Sequence, residues 1–330
     1  MPNLAISSRN LPYVNGKSDR RSPFRSLVTR RTLPKILAGC GLLVLFSHRY
    51  ASYKMNTLTW VKAPINDIPR VCPAIPYPII DTTNNPRPTI CLTTLTDAAK
   101  ATPLQRFIRW RNFDNLLQMT WPNKEHYVAQ HDNYKLFDES HNLNTSRPPS
   151  WSKIKAARRL LTEEDCDWVF WMDADTVIMD SSRNIEDFLP LHHDLVLTTE
   201  KGGSYNAGAW LIRKSQWSLD FLDAWWSMSE FVKPPGMSTS GDNAALKAYL
   251  TQTMDPSEFQ QHIAVPARCT FNSVTKFLSP TEAAAMTPEL LQEQVWYLHE
   301  EYYHKGDFVA HVAGRNNKID TTALLLPDAV

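Results

Sequence analysis

Trp168-Val169-Phe170-Trp171-Met172-Asp173-Ala174-Asp175 is the stretch on which the reading of this chain turns. Bulky apolar residues in an unbroken run describe a strand buried on both faces, as in a parallel sheet covered by helices. Two carboxylates follow at once. If the chain stays extended, residues i and i+2 point the same way, so Asp173 and Asp175 converge while Ala174 turns aside. They stand at the C-terminal end of the strand, the edge at which open α/β sheets take their ligands. Carboxylates so close repel each other, and a hard divalent cation, Mn²⁺ or Mg²⁺, is the natural neutraliser. The plain alternative is a turn cluster, since Asp is common in turns. The apolar run before it argues against that, because unpaired acids at a buried strand end are costly.

Outward from this strand the pattern alternates. Residues 89–95 (ThrIleCysLeuThrThrLeu) read as a first strand, and 195–197 and 209–212 as later ones. Helical spacing is predicted over 103–119, 122–131, 152–161, 216–231 and 243–250, and the tail after Ile319 reads as irregular. Such alternation predicts an α/β domain with a mostly parallel central sheet flanked by helices. The chain has 330 residues, room for one large domain with appendages. Its hydrophobic content of 43% and charged content of 21% are those of a globular protein. A net charge of +1 shows none of the basic excess expected of a nucleic-acid binder. Most of the eleven tryptophans read as core.

The N-terminal part differs. Residues 1–32 are basic and Ser-rich and read as a disordered cytosolic tail. The apolar run IleLeuAlaGlyCysGlyLeuLeuValLeuPhe (36–46) is short for a span of ~20 residues, but with its flanks (33–50) it reads as a signal anchor. A cleaved signal peptide is the alternative. Residues 51–88, with Pro64, Pro69, Pro73, Pro76, Pro78, Pro86 and Pro88, read as an extended stem before a catalytic domain at 89–330. The charge asymmetry puts the N-terminus in the cytosol and the rest in the lumen, the layout of a single-pass type II membrane protein of the secretory pathway, for which the Golgi membrane is the expected location. There Cys72, Cys91, Cys166 and Cys269 are free to form disulfides, and the sequon Asn144-Thr145-Ser146 is open to glycosylation. No CxxC pair points to a zinc site.

Several blocks together carry a resemblance. Trp151-Ser152-Lys153-Ile154 and the Trp168–Thr176 stretch resemble glycosyltransferase family 34, which holds fungal galactosyl- and mannosyltransferases and plant xyloglucan xylosyltransferases. Tyr205-Asn206-Ala207-Gly208 with Leu211-Ile212-Arg213 is similar to its Asn-x-Gly strand. Gly241-Asp242-Asn243-Ala244-Ala245-Leu246 is similar to its Asp-Gln-x-Ala-Leu block, and His311-Val312-Ala313-Gly314 to its His-x-Ala-Gly block. The resemblance implies a GT-A-type, Rossmann-like fold and a retaining transfer of a hexose or pentose from UDP-galactose, UDP-xylose or GDP-mannose to an oligo- or polysaccharide. It implies Asp173, Asp175 and His311 as ligands of Mn²⁺ or Mg²⁺, and Asp242, Asn243 and Asn206 at the donor sugar. It places Tyr127, His131, Tyr134, Gly208, Gly314 and Lys318 with the donor nucleotide and its diphosphate. At Asn243 this chain has Asn where the family usually has Gln. The resemblance leaves room for a homo- or hetero-oligomer with related transferases.

Two other readings compete. A catalytically weak subunit of a glycosyltransferase complex fits the change at Asn243, while the intact Asp173, Asp175, Asp242 and His311 oppose it. A phosphate-ester hydrolase also begins with an Asp-x-Asp, but no Asp-Gly-Thr-type nucleophile loop follows here.

Overall fold

The strand expected at 168–172 is present in the computed structural model, which describes residues 61–97, 115–200, 202–233, 241–285, 287, 302–314 and 318–329. Its side chains alternate between two cores, which is why every position is apolar. Val169 and Trp171 pack on one side with Trp151, Leu160, Trp210 and Trp225. Trp168, Phe170 and Met172 pack on the other with Leu92, Tyr127, Phe188 and Phe308. Trp151, Trp171, Trp210 and Trp225 are fully buried, as the core reading expects.

In chain order the elements are β1 Val61–Lys62, β2 Ile90–Thr94, α1 Leu116–Val128, β3 Tyr134–Asp138, α2 Ser152–Glu163, β4 Trp168–Met172 and β5 Thr176–Ile178. There follow β6 Leu195–Thr199, β7 Tyr205–Arg213, α3 Gln216–Ser227, α4 Gly241–Ala248, α5 Pro256–His262, β8 Ile263–Ala264, β9 Ser273–Val274 and β10 Phe277–Leu278. α6 Pro280–Ala285, β11 Val309–His311 and α7 Lys318–Ala323 complete the order. The main sheet runs β3-β2-β4-β7-β6-β8, and β7 alone opposes the other strands. This is the mostly parallel α/β sheet that the alternation of the sequence predicts. A smaller sheet, β5-β11-β9, is built on the chain that leaves β4.

Local differences from the sequence reading have physical causes. The helices predicted on either side of Pro122 are one helix, α1, within the described residues. A proline removes one backbone hydrogen bond, and side-chain bonds to the neighbouring chain hold the helix through it. Asn123 brackets Ile178, accepting from its N–H and donating to its carbonyl, both at 2.8 Å. The tail after Ile319 forms α7 and a 3₁₀ turn rather than irregular chain, seated by the buried Leu325.

The chain divides into Met1–Met55 and Asn56–Val330. The basic tail and the apolar run lie outside the described residues. Among the described residues no helix is long and apolar enough to cross a membrane. The Pro-rich segment read as a free stem is, from residue 61 on, tied to the domain. β1 pairs antiparallel with β10, Ala63 and Ile65 are buried, and Cys72 forms a disulfide with Cys269. Proline content suggests an extended backbone but says nothing of whether that backbone docks, and here a 3₁₀ turn at Pro64–Asp67 interrupts it. The second disulfide joins Cys91 of β2 to Cys166 ahead of β4.

Candidate active site

β4 ends at Met172, and Asp173 opens a turn rather than a further stretch of strand. The Thr176 N–H donates to the Asp173 carbonyl at 3.0 Å, and the Thr176 hydroxyl to the same oxygen at 2.8 Å. The turn hands the chain to β5, which pairs antiparallel with β11 so that Thr176 faces His311. Asp173, Asp175 and His311, far apart in sequence, thereby meet: one ligand atom from each lies within 4.8 Å of the others. Ala174 turns away from them, buried against Leu116 and Leu117.

The donor set suits a divalent cation. The His311 Nδ1 lies 2.8 Å from the Asn272 carbonyl oxygen, and its Nε2 lies 3.5 Å from Asp175. Burial pushes the imidazole pKa down to about 4, so it is neutral at physiological pH, the form in which histidine ligates metals. Two carboxylates and one neutral nitrogen, converging in a largely buried setting, are a group that can bind a metal. Gly208 is required for this packing. A Cβ there would stand 2.2 Å from the His311 Cε1 and 2.8 Å from the Asn206 Oδ1.

Beside this group lies a buried lysine that sequence reasoning quoted but gave no role. Lys153, in the first turn of α2, reaches Asp173 at 2.8 Å, the Ala207 carbonyl at 3.0 Å and Asp242 at 3.3 Å. Burial opposes its charge, but Asp173 and Asp242 outweigh that and hold its pKa above the usual lysine value. Burial likewise opposes ionisation of Asp173, and Lys153, His311 and the Trp171 indole N–H, at 2.8 Å, hold its carboxyl below the usual range. Lys318 ion-pairs with Asp175 and donates to the Val312 carbonyl at 2.9 Å.

The remaining predicted residues divide into two groups. Asn206 accepts from the Gly208 N–H at 2.7 Å and donates to Glu200 at 3.3 Å, and Glu200 pairs with Lys247 of α4. The Asn243 carbonyl oxygen accepts from the Ala207 N–H at 2.8 Å, so it is committed to the backbone. Gly314 follows β11 with φ +71°, a conformation that favours glycine. Asn144 sits in a half-exposed turn, where its side chain accepts from the Ser146 N–H at 2.9 Å.

Tyr127, His131 and Tyr134 form a ring cluster elsewhere. Tyr134 lies level with Ile90 and, across β2, with Trp168, at the N-terminal end of the parallel strands. Asp173, directly after the far end of β4, is five residues beyond Trp168, about 16 Å at the rise of a strand. The Tyr127 hydroxyl donates to the Arg183 carbonyl at 2.7 Å, and that of Tyr134 to Glu186. These three residues thus brace the end of the sheet opposite to Asp173, rather than standing beside it. A Tyr-x-x-x-His-x-x-Tyr spacing does not say which end of a strand it occupies.

Comparison with known proteins follows the same lines. Residues 129–277 match a family described as "Protein of unknown function, DUF273". The chain is 39% identical over 125 residues to the "Probable glycosyltransferase 6" of Oryza sativa subsp. japonica, covering 34% of this chain and 25% of that one. It is 30% identical over 177 residues to the "Galactomannan galactosyltransferase 1" of Cyamopsis tetragonoloba, covering 46% of this chain and 39% of that one. The chain thus spans well under half the length of these curated relatives. A solved glycosyltransferase, involved in glycosylation of the major capsid of PBCV-1, is similar over 72% of this chain and 100% of its own, at 14% identity and a TM-score of 0.45. The resemblance to plant glycosyltransferases of the family 34 type, read from the motifs, is present in these relatives.

Proposed function

We propose that this protein is a metal-dependent, retaining glycosyltransferase that moves a hexose or pentose from a nucleotide sugar to a glycan. The observation that carries the reading is the convergence of Asp173, Asp175 and neutral His311 at the C-terminal end of β4, with the Lys153–Asp242 pair beside them. Asp173, Asp175 and His311 would hold Mn²⁺ or Mg²⁺. Such an ion supplies Lewis-acid neutralisation of a departing diphosphate. Lys153 fixes Asp173 and Asp242 relative to each other, and Lys318 adds positive charge at the same edge. An amide lacks the charge of a carboxylate, and Asn243 already spends its oxygen on Ala207, so no glycosyl-enzyme forms there. Attack then comes from the leaving-group face, and the product keeps the α configuration of the donor.

UDP-galactose, UDP-xylose and GDP-mannose are the donors to test, and an oligo- or polysaccharide the acceptor. The proposed setting is the Golgi lumen, with residues 33–50 as a type II anchor and Asn144 carrying a glycan. The committed Asn243 oxygen also supports a second reading, a catalytically weak subunit in a complex of related transferases. Nucleotide release measured over the donor panel, with and without Mn²⁺, tests both. Mn²⁺-dependent release from one donor supports the enzyme; none from any donor, alone or with acceptor glycans, refutes it in favour of the subunit.

A further inference from the structure

Asn272 is fully buried, immediately before β9, and nothing in its sequence neighbourhood marks it. Its side-chain oxygen meets the His311 Nδ1 at 2.8 Å. An amide carbonyl only accepts, so in this arrangement the proton of the neutral imidazole sits on Nδ1. The lone pair is then on Nε2, the nitrogen that faces Asp175 at 3.5 Å. The Asn272 amide nitrogen, by contrast, is buried with no hydrogen-bond partner among the described residues. An unpaired buried N–H costs stability, and an apolar side chain would avoid the cost. The one bond that Asn272 makes with its side chain is thus the bond that sets the state of His311.

Its seat is fixed from several directions. The Asn272 N–H donates to the Arg268 carbonyl at 3.0 Å, and Cys269 is joined to Cys72. The next residue, Ser273, pairs with Ala310 of β11 and donates its hydroxyl to Asp307 at 2.7 Å. Asp307 is ion-paired with Arg70. Asn272, just ahead of β9, and His311, on the neighbouring parallel strand β11, therefore sit in segments whose relative position is held by a disulfide and a buried ion pair.

We infer that Asn272 is a positioning residue: it holds His311 in the Nδ1–H tautomer, so that Nε2 is open toward Asp173 and Asp175. The metal part of this rests on the reading given under the proposed function; the tautomer does not. Partners of this kind orient ligating histidines, and their loss typically weakens metal binding ~10–100-fold. The test uses the full chain, metal-free, with ¹⁵N-labelled histidine, and long-range ¹H–¹⁵N correlation spectra to locate the His311 proton. The parent protein should carry it on Nδ1. Asn272→Leu should move it to Nε2 and weaken Mn²⁺ binding by ~10–100-fold. Asn272→Asp, which keeps an oxygen on the Nδ1–H, should bind Mn²⁺ within a few-fold of the parent. A parent proton on Nε2 overturns the inference, as does Asn272→Leu with unchanged tautomer and Mn²⁺ affinity. If Asn272→Leu does not fold, the parent tautomer and the Asn272→Asp affinity decide. A parent that shows the Nδ1–H tautomer but binds no Mn²⁺ sinks the metal reading and leaves the positioning of His311 standing.

Discussion

Asp173 and Asp175 reach the site on a short tether from the middle of the main sheet, whereas His311 reaches it on a separate three-stranded sheet. The carboxylate arm is held by its own surroundings. β4 is flanked on both sides by strands, its residues fill two cores, and the Trp171 indole binds Asp173 two positions on. The histidine arm is held by its own apolar packing and, in addition, from a distance. β11 lies between β5 and β9, and β9 is secured through Asp307 and Cys269 to Arg70 and Cys72, some two hundred residues earlier. Both arms have apolar neighbours, Val309, Ala310 and Val312 among them on the histidine side, but only the histidine arm adds specific links to a distant part of the chain. Damage to those links should therefore reach His311 first.

The largest expected effect is on the carboxylate arm. Asp173→Ala and Asp175→Ala should fold and lose transfer by ~10³-fold or more, as for other groups that stabilise developing negative charge. EDTA should reproduce the loss in the parent. Assays of nucleotide release check this, and full activity of either variant in chelator would remove the metal mechanism.

The two disulfides separate the arms. They close loops with sequence separations of 197 and 75 residues, and chain entropy alone gives each a similar contribution, ~4–5 kcal/mol. Cys72→Ser and Cys91→Ser should then lower the denaturation midpoint comparably. Only Cys72→Ser should weaken Mn²⁺ binding in the still-folded protein, because only that bridge holds the segment before Asn272. Equal Mn²⁺ affinities in the two variants would erase the contrast between the arms.

A smaller effect is expected at Lys124, behind the turn. It is fully buried and donates to the Thr176 carbonyl at 2.7 Å. Burial pushes its pKa down to about 7, against the pull of Asp173. A lysine depressed from 10.5 in the unfolded chain destabilises the fold while charged. That penalty is full below pH 7, shrinks as pH rises, and is gone above 10.5. Lys124→Met should raise stability at pH 7 by about 1–3 kcal/mol and by nearly nothing at pH 10.5. Urea midpoints at the two pH values check the sign, and a gain that grows with pH would contradict it.

The sequence carried the position of the carboxylate arm, since an unbroken apolar run ending in Asp-x-Asp is a local pattern, but not the turn at Asp173 that takes the place of the extended chain it assumed. His311 was found only through its block, because its neighbours in space come from β5 and β9. Lys153 and Asn272 were missed as functional residues. A buried polar side chain is recognised by its partners, and here those partners lie 20 and 39 positions away. That Tyr127, His131 and Tyr134 lie at the end of the sheet away from Asp173 was not legible, because ring spacing does not encode strand direction. The docking of residues 61–88 was hidden because proline reports backbone shape and not contact.

The most direct measurement of the central claim is a Mn²⁺ titration of the metal-free parent beside Asp175→Ala and His311→Ala, followed by calorimetry. The account predicts one ion per chain in the parent, no specific binding in Asp175→Ala, and affinity ~10–100-fold weaker in His311→Ala, with excess Mn²⁺ recovering part of its transfer activity. If His311 were only a core residue, its variant would melt earlier yet titrate as the parent does, and coincident curves would contradict the account.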